Sequence, residues 1–226
     1  MKKRISSYAI ILFAFVTILM SCNKEDNPPA PVTDIEGNTY KTVRIGDQVW
    51  MVENLRTATF TDGSEIPAVA DATDWSELAA PGFCWYNNDE VSNKDTYGAL
   101  YNYYSVNTGQ LCPAGWHVPS RDEWQQLRDA LGDTITGGGK LKEEGTTHWN
   151  MPNAGAINST GFTALPAGIR YFEGTFSSLS YFTSYWSSTE ADNNKGWYLS
   201  LYFNDAVAGM NNTSRKDGFS IRCIKD

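Results

Sequence analysis

Two stretches of the chain place an aromatic side chain close to amides and acids, a combination that suits sugar binding. A tryptophan ring can cover the apolar face of a sugar, while amide and carboxylate groups exchange hydrogen bonds with its hydroxyls. The candidate ligand-binding residues are Trp149, Asn150, Asn153, Trp186, Glu190, Asp192 and Asn193. The alternative for each stretch is a solvated turn beside a core tryptophan.

The histidines and cysteines do not form a pattern that predicts catalysis. His117 lies between Trp116 and Val118, which predicts a packed core residue, and His148 precedes Trp149 in a polar segment. A hydrolytic triad needs a histidine beside a serine or cysteine and an acid, but the chain has no Gly-x-Ser-x-Gly motif. It also has no Cys-x-x-Cys pair for redox or zinc chemistry. We therefore expect a chain that is not an enzyme and has neither a cofactor nor a metal site.

The amino-terminal residues have the composition of an export signal. Residues 2–4 (Lys-Lys-Arg) are basic, residues 8–20 are apolar, and residues 19–22 read Leu-Met-Ser-Cys. This order is typical of a secretory signal peptide, and the apolar run is shorter than the roughly 20 residues that span a bilayer. Residues 19–22 resemble the lipobox of bacterial lipoproteins, which implies cleavage after residue 21 and acylation of Cys22. The alternative is an ordinary signal peptide with an incidental cysteine.

The residues after Cys22 predict a tether and a second targeting signal. Residues 23–26 (Asn-Lys-Glu-Asp) resemble the export signal of surface lipoproteins in some Gram-negative bacteria, and residues 27–31 are rich in proline. Proline-rich segments stay extended and act as spacers. We expect a signal peptide over residues 1–21, a lipidated tether over 22–33 and one domain over 34–226. The expected location is the cell surface of the outer membrane, and the inner face of that membrane is the alternative.

The charge of the chain restricts its partners. The 226 residues carry a formal net charge of −8, and removing the basic amino terminus makes the chain more acidic. Because an acidic surface repels phosphate backbones and anionic lipid headgroups, this charge argues against nucleic acid and against peripheral lipid binding. The expected partners are therefore the membrane, through the lipid anchor, and a glycan or a surface protein. Residues 34–226 are enough for one domain with a sizeable core.

Three cysteines remain for the folded domain once Cys22 is assigned to lipid. An exported protein folds under oxidising conditions, so we expect one disulfide and one free thiol. Cys112 opens a turn and Cys223 lies near the carboxyl terminus, so a bond between them would close a long loop and restrict the unfolded chain most. We favour Cys112–Cys223 with Cys84 reduced and buried, and Cys84–Cys112 is the alternative.

Two predicted helices followed by strands would position these residues. Residues 39–45 and 48–52 read as a hairpin, and Tyr and Leu side chains at positions 97, 100, 101 and 104 predict a helix over 97–106. Ser120 and Glu123 form the capping box of a second helix, and residues 137–139 (Gly-Gly-Gly) read as a flexible hinge. Residues 146–159 are typical of a long surface loop, and a period of two after residue 161 predicts strands. The order indicates an α+β fold with helices packed on a sheet.

Five segments carry a resemblance to a known family. They are residues 49–55 (Val-Trp-Met-Val-Glu-Asn-Leu), 97–102 (Tyr-Gly-Ala-Leu-Tyr-Asn), 112–120 (Cys-Pro-Ala-Gly-Trp-His-Val-Pro-Ser), 186–190 (Trp-Ser-Ser-Thr-Glu) and 218–223 (Gly-Phe-Ser-Ile-Arg-Cys). Over residues 34–226 the chain resembles the Fibrobacter succinogenes major paralogous domain family, and the third segment is the specific part of the match. The resemblance implies a C-type lectin-like fold, similar to that of formylglycine-generating enzymes. In that fold two flanking helices pack on a small antiparallel sheet, and long irregular loops present ligands.

Proteins that share this fold bind calcium or oxidise a cysteine, and this chain lacks the residues that those two activities need. Calcium-binding C-type lectins use an acid-Pro-Asn loop and a Trp-Asn-Asp strand. Residues 151–153 (Met-Pro-Asn) lack the acid, which calcium prefers as a ligand, and lie too far along the chain from residues 203–205 (Phe-Asn-Asp). Formylglycine-generating enzymes use a reactive cysteine pair in the carboxyl-terminal half, where this chain has Cys223 alone.

The sequence thus favours a non-enzymatic, cell-surface lipoprotein that binds or adheres to a glycan or matrix polysaccharide. One alternative is an enzyme related to the formylglycine-generating oxidases. Another is a purely structural surface component, such as one associated with fimbriae.

Overall fold

A computed structural model describes residues 28–133 and 135–226 of the chain. The predicted signal peptide, Cys22 and the first part of the tether lie outside the described residues. The strands are β1 (Val32–Thr33), β2 (Thr39–Tyr40), β3 (Thr42–Ile45), β4 (Gln48–Met51), β5 (Phe83–Cys84), β6 (Leu100–Tyr101), β7 (Trp116–His117), β8 (Ala167–Arg170), β9 (Phe176–Leu179), β10 (Phe182–Asp192), β11 (Lys195–Tyr202), β12 (Gly209–Ser214) and β13 (Ile224–Lys225). The helices are α1 (Ala72–Glu77), α2 (Glu90–Tyr97), α3 (Tyr103–Val106), α4 (Arg121–Ala130) and α5 (Gly137–Leu141), with a 3₁₀ turn over Tyr86–Asn88.

Sheets make up most of the regular structure in the described chain. The largest sheet has the strand order β12-β11-β10-β8-β9, in which β10 and β8 run parallel and the other neighbours antiparallel. A second sheet has the order β3-β4-β13-β7, and β1-β2 and β5-β6 form two small pairs. The expected α+β class is confirmed, with more sheet and shorter helices than the sequence predicted.

The carboxyl-terminal strand lies beside the amino-terminal hairpin. Ile224 of β13 is opposite Trp50 of β4, and the other edge of β13 pairs with β7. The disulfide Cys112–Cys223 joins the turn before β7 to the residue before β13, with a Cα–Cα distance of 5.9 Å. Cys84 is free and buried. The favoured disulfide and the free, buried Cys84 are therefore both confirmed.

The capped helix predicted after Ser120 is present as α4. The Ser120 hydroxyl accepts a hydrogen bond from the Glu123 amide, and the Glu123 carboxylate accepts one from the Ser120 amide. This exchange satisfies two amide groups that a helix start otherwise leaves unpaired. The buried Trp124 ring lies 4.6 Å from the ring of Trp50 in β4 and 5.9 Å from the ring of Tyr185 in β10. Helix α4 therefore packs against both larger sheets.

The prediction of one helix over residues 97–106 is wrong. Helix α2 ends at Tyr97, Gly98 follows with a φ of 71°, and the chain then forms β6 and the short helix α3. A Cβ atom at Gly98 would lie 2.8 Å from the Leu55 carbonyl oxygen. The positive φ and this close approach both require glycine, so the helix cannot continue through this position.

The glycine triplet at residues 137–139 is a packing element and not the predicted flexible hinge. It opens α5, and all three glycines are buried. A Cβ atom at Gly138 would lie 2.5 Å from the Val207 carbonyl oxygen, and one at Gly139 would collide with the Gly155 carbonyl group. The triplet therefore lets the α5 backbone lie directly against two loops, where no side chain fits.

The folded domain begins before residue 34. The Thr42 hydroxyl donates a hydrogen bond to the Pro29 carbonyl oxygen at 2.8 Å, and β1 pairs with β2. The end of the segment that the sequence assigns to the tether therefore packs on the domain. In the described part of the chain, no helix is both long and apolar enough to span a bilayer.

Candidate functional site

Both tryptophans that the sequence assigns to sugar stacking are core residues. Trp149 is 1% exposed and Trp186 is 0% exposed. The Trp149 Nε1 group donates to the Ala164 carbonyl oxygen at 2.9 Å, and the Trp186 Nε1 group donates to the Tyr101 carbonyl oxygen at 2.7 Å. Because neither ring has a face open to solvent, the prediction that they stack on a sugar is wrong.

The two asparagines near Trp149 have different environments. Asn153 is buried, and its side-chain amide donates to the carbonyl oxygens of Glu143 and Gly145 at 2.9 and 2.6 Å. Asn150 is exposed, and its backbone amide donates to the Ser180 carbonyl oxygen. Asn153 thus holds the loop in shape, and Asn150 has no exposed Trp149 ring to act with.

The remaining candidates lie at the tip of the β10–β11 hairpin. Glu190 forms an ion pair with Arg215 at 2.8 Å, and Asp192 accepts a hydrogen bond from the Asn194 amide at 2.8 Å. Asn193 is exposed at the same turn. The structure therefore places these three residues at one turn while the Trp186 ring is buried, as the alternative of a solvated turn beside a core tryptophan anticipated.

His117 is not the packed core residue that its neighbours predicted. Its side chain is 40% exposed, and its ring lies between two carboxylates, with Nδ1 2.6 Å from Asp226 Oδ1 and Nε2 2.8 Å from Glu123 Oε1. Burial alone would lower the pKa of His117, but the hydrogen bonds and charges of both carboxylates outweigh it and raise the pKa. His148 has one carboxylate partner, Glu143, at 2.8 Å.

A pocket on the five-stranded sheet is the best candidate for a functional site. Its volume of about 300 Å³ lies at the lower end of the usual range for small-molecule sites. Most of its lining is aromatic, and the aromatic members are Tyr171, Phe172, Phe182, Tyr198, Tyr202 and Phe219. None of the candidate residues predicted from the sequence lines this pocket. We call it the aromatic pocket.

The floor of the aromatic pocket rests on the core. The Phe219 ring lies 6.5 Å from the Phe182 ring and 4.7 Å from the Tyr198 ring. Beneath it the buried Trp186 ring lies 4.6 Å from Phe219. Trp186 therefore supports the pocket from below and has no access to a ligand.

The exposed rim of the pocket is a turn that follows β8. Phe172 is 54% exposed, and the adjacent Tyr171 is also exposed. The turn is fixed from beneath by the buried Arg170, whose Nε group donates to the Gly174 carbonyl oxygen at 3.1 Å and whose guanidinium lies 4.4 Å above the Trp75 ring. A held turn that displays large apolar side chains at the mouth of a pocket is typical of an interaction site.

Strand β11 supplies the wall of the pocket. Side chains alternate between the two faces of a strand, so Tyr198 and Tyr202 share the pocket face. The Tyr202 ring lies 4.6 Å from the ring of Phe182. Burial raises the pKa of Tyr198 to about 12, so its hydroxyl is neutral and can donate or accept a hydrogen bond.

The carboxylate in the lining belongs to Asp217, which is 3% exposed. Its Oδ2 atom accepts a hydrogen bond from the Thr213 hydroxyl at 2.5 Å. Its Oδ1 atom accepts no hydrogen bond of normal geometry from any described residue. Burial raises the pKa of Asp217 to about 6 and Glu173 adds to the rise, while the Thr213 hydroxyl and the Phe172 amide oppose it.

Backbone pairing brings Asp217 to the rim. The next residue, Gly218, exchanges two backbone hydrogen bonds with Arg170. The Gly218 amide donates to the Arg170 carbonyl oxygen at 2.7 Å, and the Arg170 amide donates to the Gly218 carbonyl oxygen at 3.2 Å. The Asp217 amide donates to the Ser214 carbonyl oxygen at 3.0 Å. The carboxylate is therefore held next to the turn that carries Tyr171.

The pocket can hold a ligand between aromatic faces, with the buried carboxylate of Asp217 among its lining residues. Within residues 28–133 and 135–226, no group of three or more His, Cys, Asp or Glu side chains is placed to hold a metal ion.

One part of this site had a signal in the sequence. The alternation along residues 197–203 puts Tyr198 and Tyr202 on the face opposite the core residues of β11. Aromatic side chains on that face are expected to pack against other side chains or to bind a ligand. Thr213 and Asp217 carried no such signal, because their place depends on which strands pair.

A family model described as the Fibrobacter succinogenes major domain matches residues 43–225. No curated protein and no solved structure matches the chain. The matched range includes every residue that lines the aromatic pocket.

Proposed function

The chain belongs to the Fibrobacter succinogenes major domain family, and we propose that it is a lipid-anchored surface protein that binds a glycan. The observation that carries this proposal is the aromatic pocket around the buried carboxylate of Asp217. Aromatic rings cover the apolar face of a sugar, and the tyrosine hydroxyls and the carboxylate suit its hydroxyls. A volume of about 300 Å³ suits a single sugar unit at the end or side of a longer glycan.

The anchor and location follow from the sequence. In this proposal residues 1–21 are a signal peptide, Cys22 carries the lipid, and a short proline-rich tether holds the domain at the outer surface of the outer membrane. Several acyl chains on one residue give stable attachment. A permanent anchor suits a protein that holds a polysaccharide at the cell surface.

The finer fold assignment is also a proposal. A C-type lectin-like fold is supported by the pairing of the carboxyl-terminal β13 with β4 near the amino terminus. The long, largely irregular segment between α5 and β8, and the position of α4 against both larger sheets, fit the same arrangement.

We propose that the protein binds its ligand without reacting with it. A cysteine oxidase reaction would need an accessible thiol, but Cys223 is bonded to Cys112. Cys84 is buried, and burial raises its pKa to about 12 although the nearby Arg170 opposes the rise. A thiol in this state is a poor nucleophile.

A glycan array tests the binding proposal. The full chain, purified in detergent, should bind at micromolar concentration to some of the plant, host or bacterial glycans. Phe172→Ala removes an exposed rim ring and should weaken that binding at least tenfold without loss of folding. Trp197→Ala is the matched control, because Trp197 is a partly exposed aromatic residue on the other face of β11. Absence of binding to every glycan, or equal loss in both variants, would count against the proposal.

Cell fractionation tests the anchor. Cys22→Ala should move the protein from the membrane fraction to the soluble fraction, because the lipid attachment site is gone. Retention of the variant on membranes would refute lipidation at Cys22.

A further inference from the structure

We infer that the ligand of the aromatic pocket presents an ammonium group, as an amino sugar with a free amine does. This inference rests on the proposed function and names the chemistry of the sugar unit that the pocket holds. It depends on three features: the aromatic faces, the buried carboxylate and the charges around them.

The aromatic faces suit a cation. A positive group within about 6 Å of an aromatic ring centre is attracted to the negative face of the ring, and pockets of several aromatic rings are used to bind ammonium groups. Tyr171, Phe172, Tyr198 and Tyr202 surround the mouth and wall of the pocket. Among the described lining residues there is no lysine or arginine that could fill this role from within the protein.

The carboxylate of Asp217 lacks a partner that an ammonium group would supply. It is 3% exposed, and its Oδ1 atom accepts no hydrogen bond of normal geometry from a described residue. A buried charge without an opposite charge is costly, and a buried acceptor without a donor adds to the cost. A neutral sugar would leave this charge unbalanced, whereas an ammonium group in the pocket brings the opposite charge, with or without an N–H donor.

The groups that face Asp217 favour a positive ligand. Glu173, in the turn after β8, adds negative charge near the carboxylate. Tyr171 lines the pocket from the turn, and Tyr198 and Tyr202 line it from β11. Burial raises the pKa of Tyr198 and of Tyr202, so these two side chains are uncharged near neutral pH.

The two basic neighbours of Asp217 in the sequence are engaged elsewhere. Arg215 pairs with Glu190 at 2.8 Å, and the Lys216 ammonium donates to the Ser76 carbonyl oxygen. The positive charge that Asp217 needs is therefore left for a ligand to bring.

Binding of a cationic ligand in the aromatic pocket should depend on pH. Burial raises the pKa of Asp217 to about 6, so the carboxylate is ionised at pH 7.5 and protonated at pH 5. A ligand with a fixed positive charge should therefore bind more weakly at pH 5. A neutral sugar should show no such loss, because it does not depend on the charge of Asp217.

Isothermal titration calorimetry of the full chain in detergent tests the inference with three matched ligands. These are a glucosamine oligomer whose amines are free, the same oligomer N-acetylated, and the same oligomer N-trimethylated. The trimethylated form keeps its charge at every pH, so its pH dependence reports on the protein. We expect it to bind at least tenfold more tightly than the acetylated form at pH 7.5 and to lose most of this preference at pH 5. Asp217→Asn should remove the preference, and Asp95→Asn, which removes an exposed carboxylate, should retain it.

The outcomes separate this inference from the proposed function. If the acetylated oligomer or another neutral glycan binds as tightly as the cationic forms, the ammonium inference is overturned and glycan binding stands. If tetramethylammonium binds in an Asp217-dependent way but no sugar does, the inference stands and glycan binding fails. If neither class of ligand binds, both are overturned.

Discussion

Replacing Asp217 by asparagine should stabilise the folded protein at neutral pH. Its side chain is almost completely buried, and the Thr213 hydroxyl and the Phe172 amide only partly offset the cost of that burial. No opposite charge lies among the described residues that line the pocket. Asparagine has nearly the same shape, carries no charge and can still accept the Thr213 hydroxyl. The substitution therefore removes the cost of a buried charge and leaves the packing in place.

The size of the effect follows from the pKa of Asp217. Burial raises it from its ordinary value of 3.8 to about 6 in the folded state, so the folded protein holds this proton more tightly than the unfolded chain does. Between these two values the unfolded chain has lost the proton and the folded protein retains it, so stability falls as pH rises. At about 1.4 kcal/mol per pKa unit the penalty approaches about 3 kcal/mol above pH 6. Asp217→Asn should therefore raise the free energy of unfolding by about 2–3 kcal/mol at pH 7.5 and by less than about 1 kcal/mol at pH 4.

Urea unfolding at pH 4 and pH 7.5, with the disulfide intact, measures this difference. Asp95→Asn is the control for loss of one negative charge at an exposed site, where we expect a change within about 1 kcal/mol. Equal stability of Asp217→Asn and the wild type at both pH values would show that the carboxylate is solvated. A loss of stability at pH 7.5 would show that its hydrogen bonds outweigh its burial. A gain in stability with a loss of ligand binding is the expected signature of a group that serves a site.

Three further changes test other parts of the structure. Cys112→Ser opens a loop of 111 residues and should lower the free energy of unfolding by about 4–5 kcal/mol. Urea unfolding measures this loss, with Cys84→Ala as the control. A loss below about 1 kcal/mol would contradict the reasoning. His117→Gln should lower the melting temperature more at pH 5.5 than at pH 8.5. The raised pKa of His117 stabilises the fold at a pH below the ordinary histidine pKa, and this stabilisation disappears as the pH rises through the pKa of the folded state. Equal losses at the two pH values would contradict this prediction. Gly138→Ala should cost about 2 kcal/mol or more, because its Cβ atom meets backbone 2.5 Å away, and an unchanged melting temperature would show that α5 can move.

Local patterns in the sequence predicted local structure well. The capping box of α4 depends on two residues three positions apart, so the sequence alone predicts it. The disulfide was favoured from the position of each cysteine along the chain and is present. The helix predicted over residues 97–106 failed where Gly98 meets Leu55, a contact between parts of the chain that the helical pattern does not include.

The prediction that Trp149 and Trp186 stack on a sugar failed for the same reason. A tryptophan beside polar residues looks alike in sequence whether its ring faces solvent or core. The structure buries Trp149 and Trp186 completely and exposes Phe172 instead. Which aromatic ring is exposed depends on how the sheets, α4 and the loops pack.

The sequence by itself determined the family, the α+β class and the start of α4 and favoured the correct disulfide, because each depends on residue types and spacing along the chain. It is also the only source for the predicted lipid anchor at Cys22, which lies outside the described residues. The tertiary structure alone decided the aromatic pocket. Its lining comes from all five strands of the largest sheet, from the turn after β8 and from the segment that holds Asp217 and Phe219. These segments meet because β8 to β12 pair with one another and Gly218 pairs with Arg170. Burial sets the chemistry of the carboxylate only once they have met.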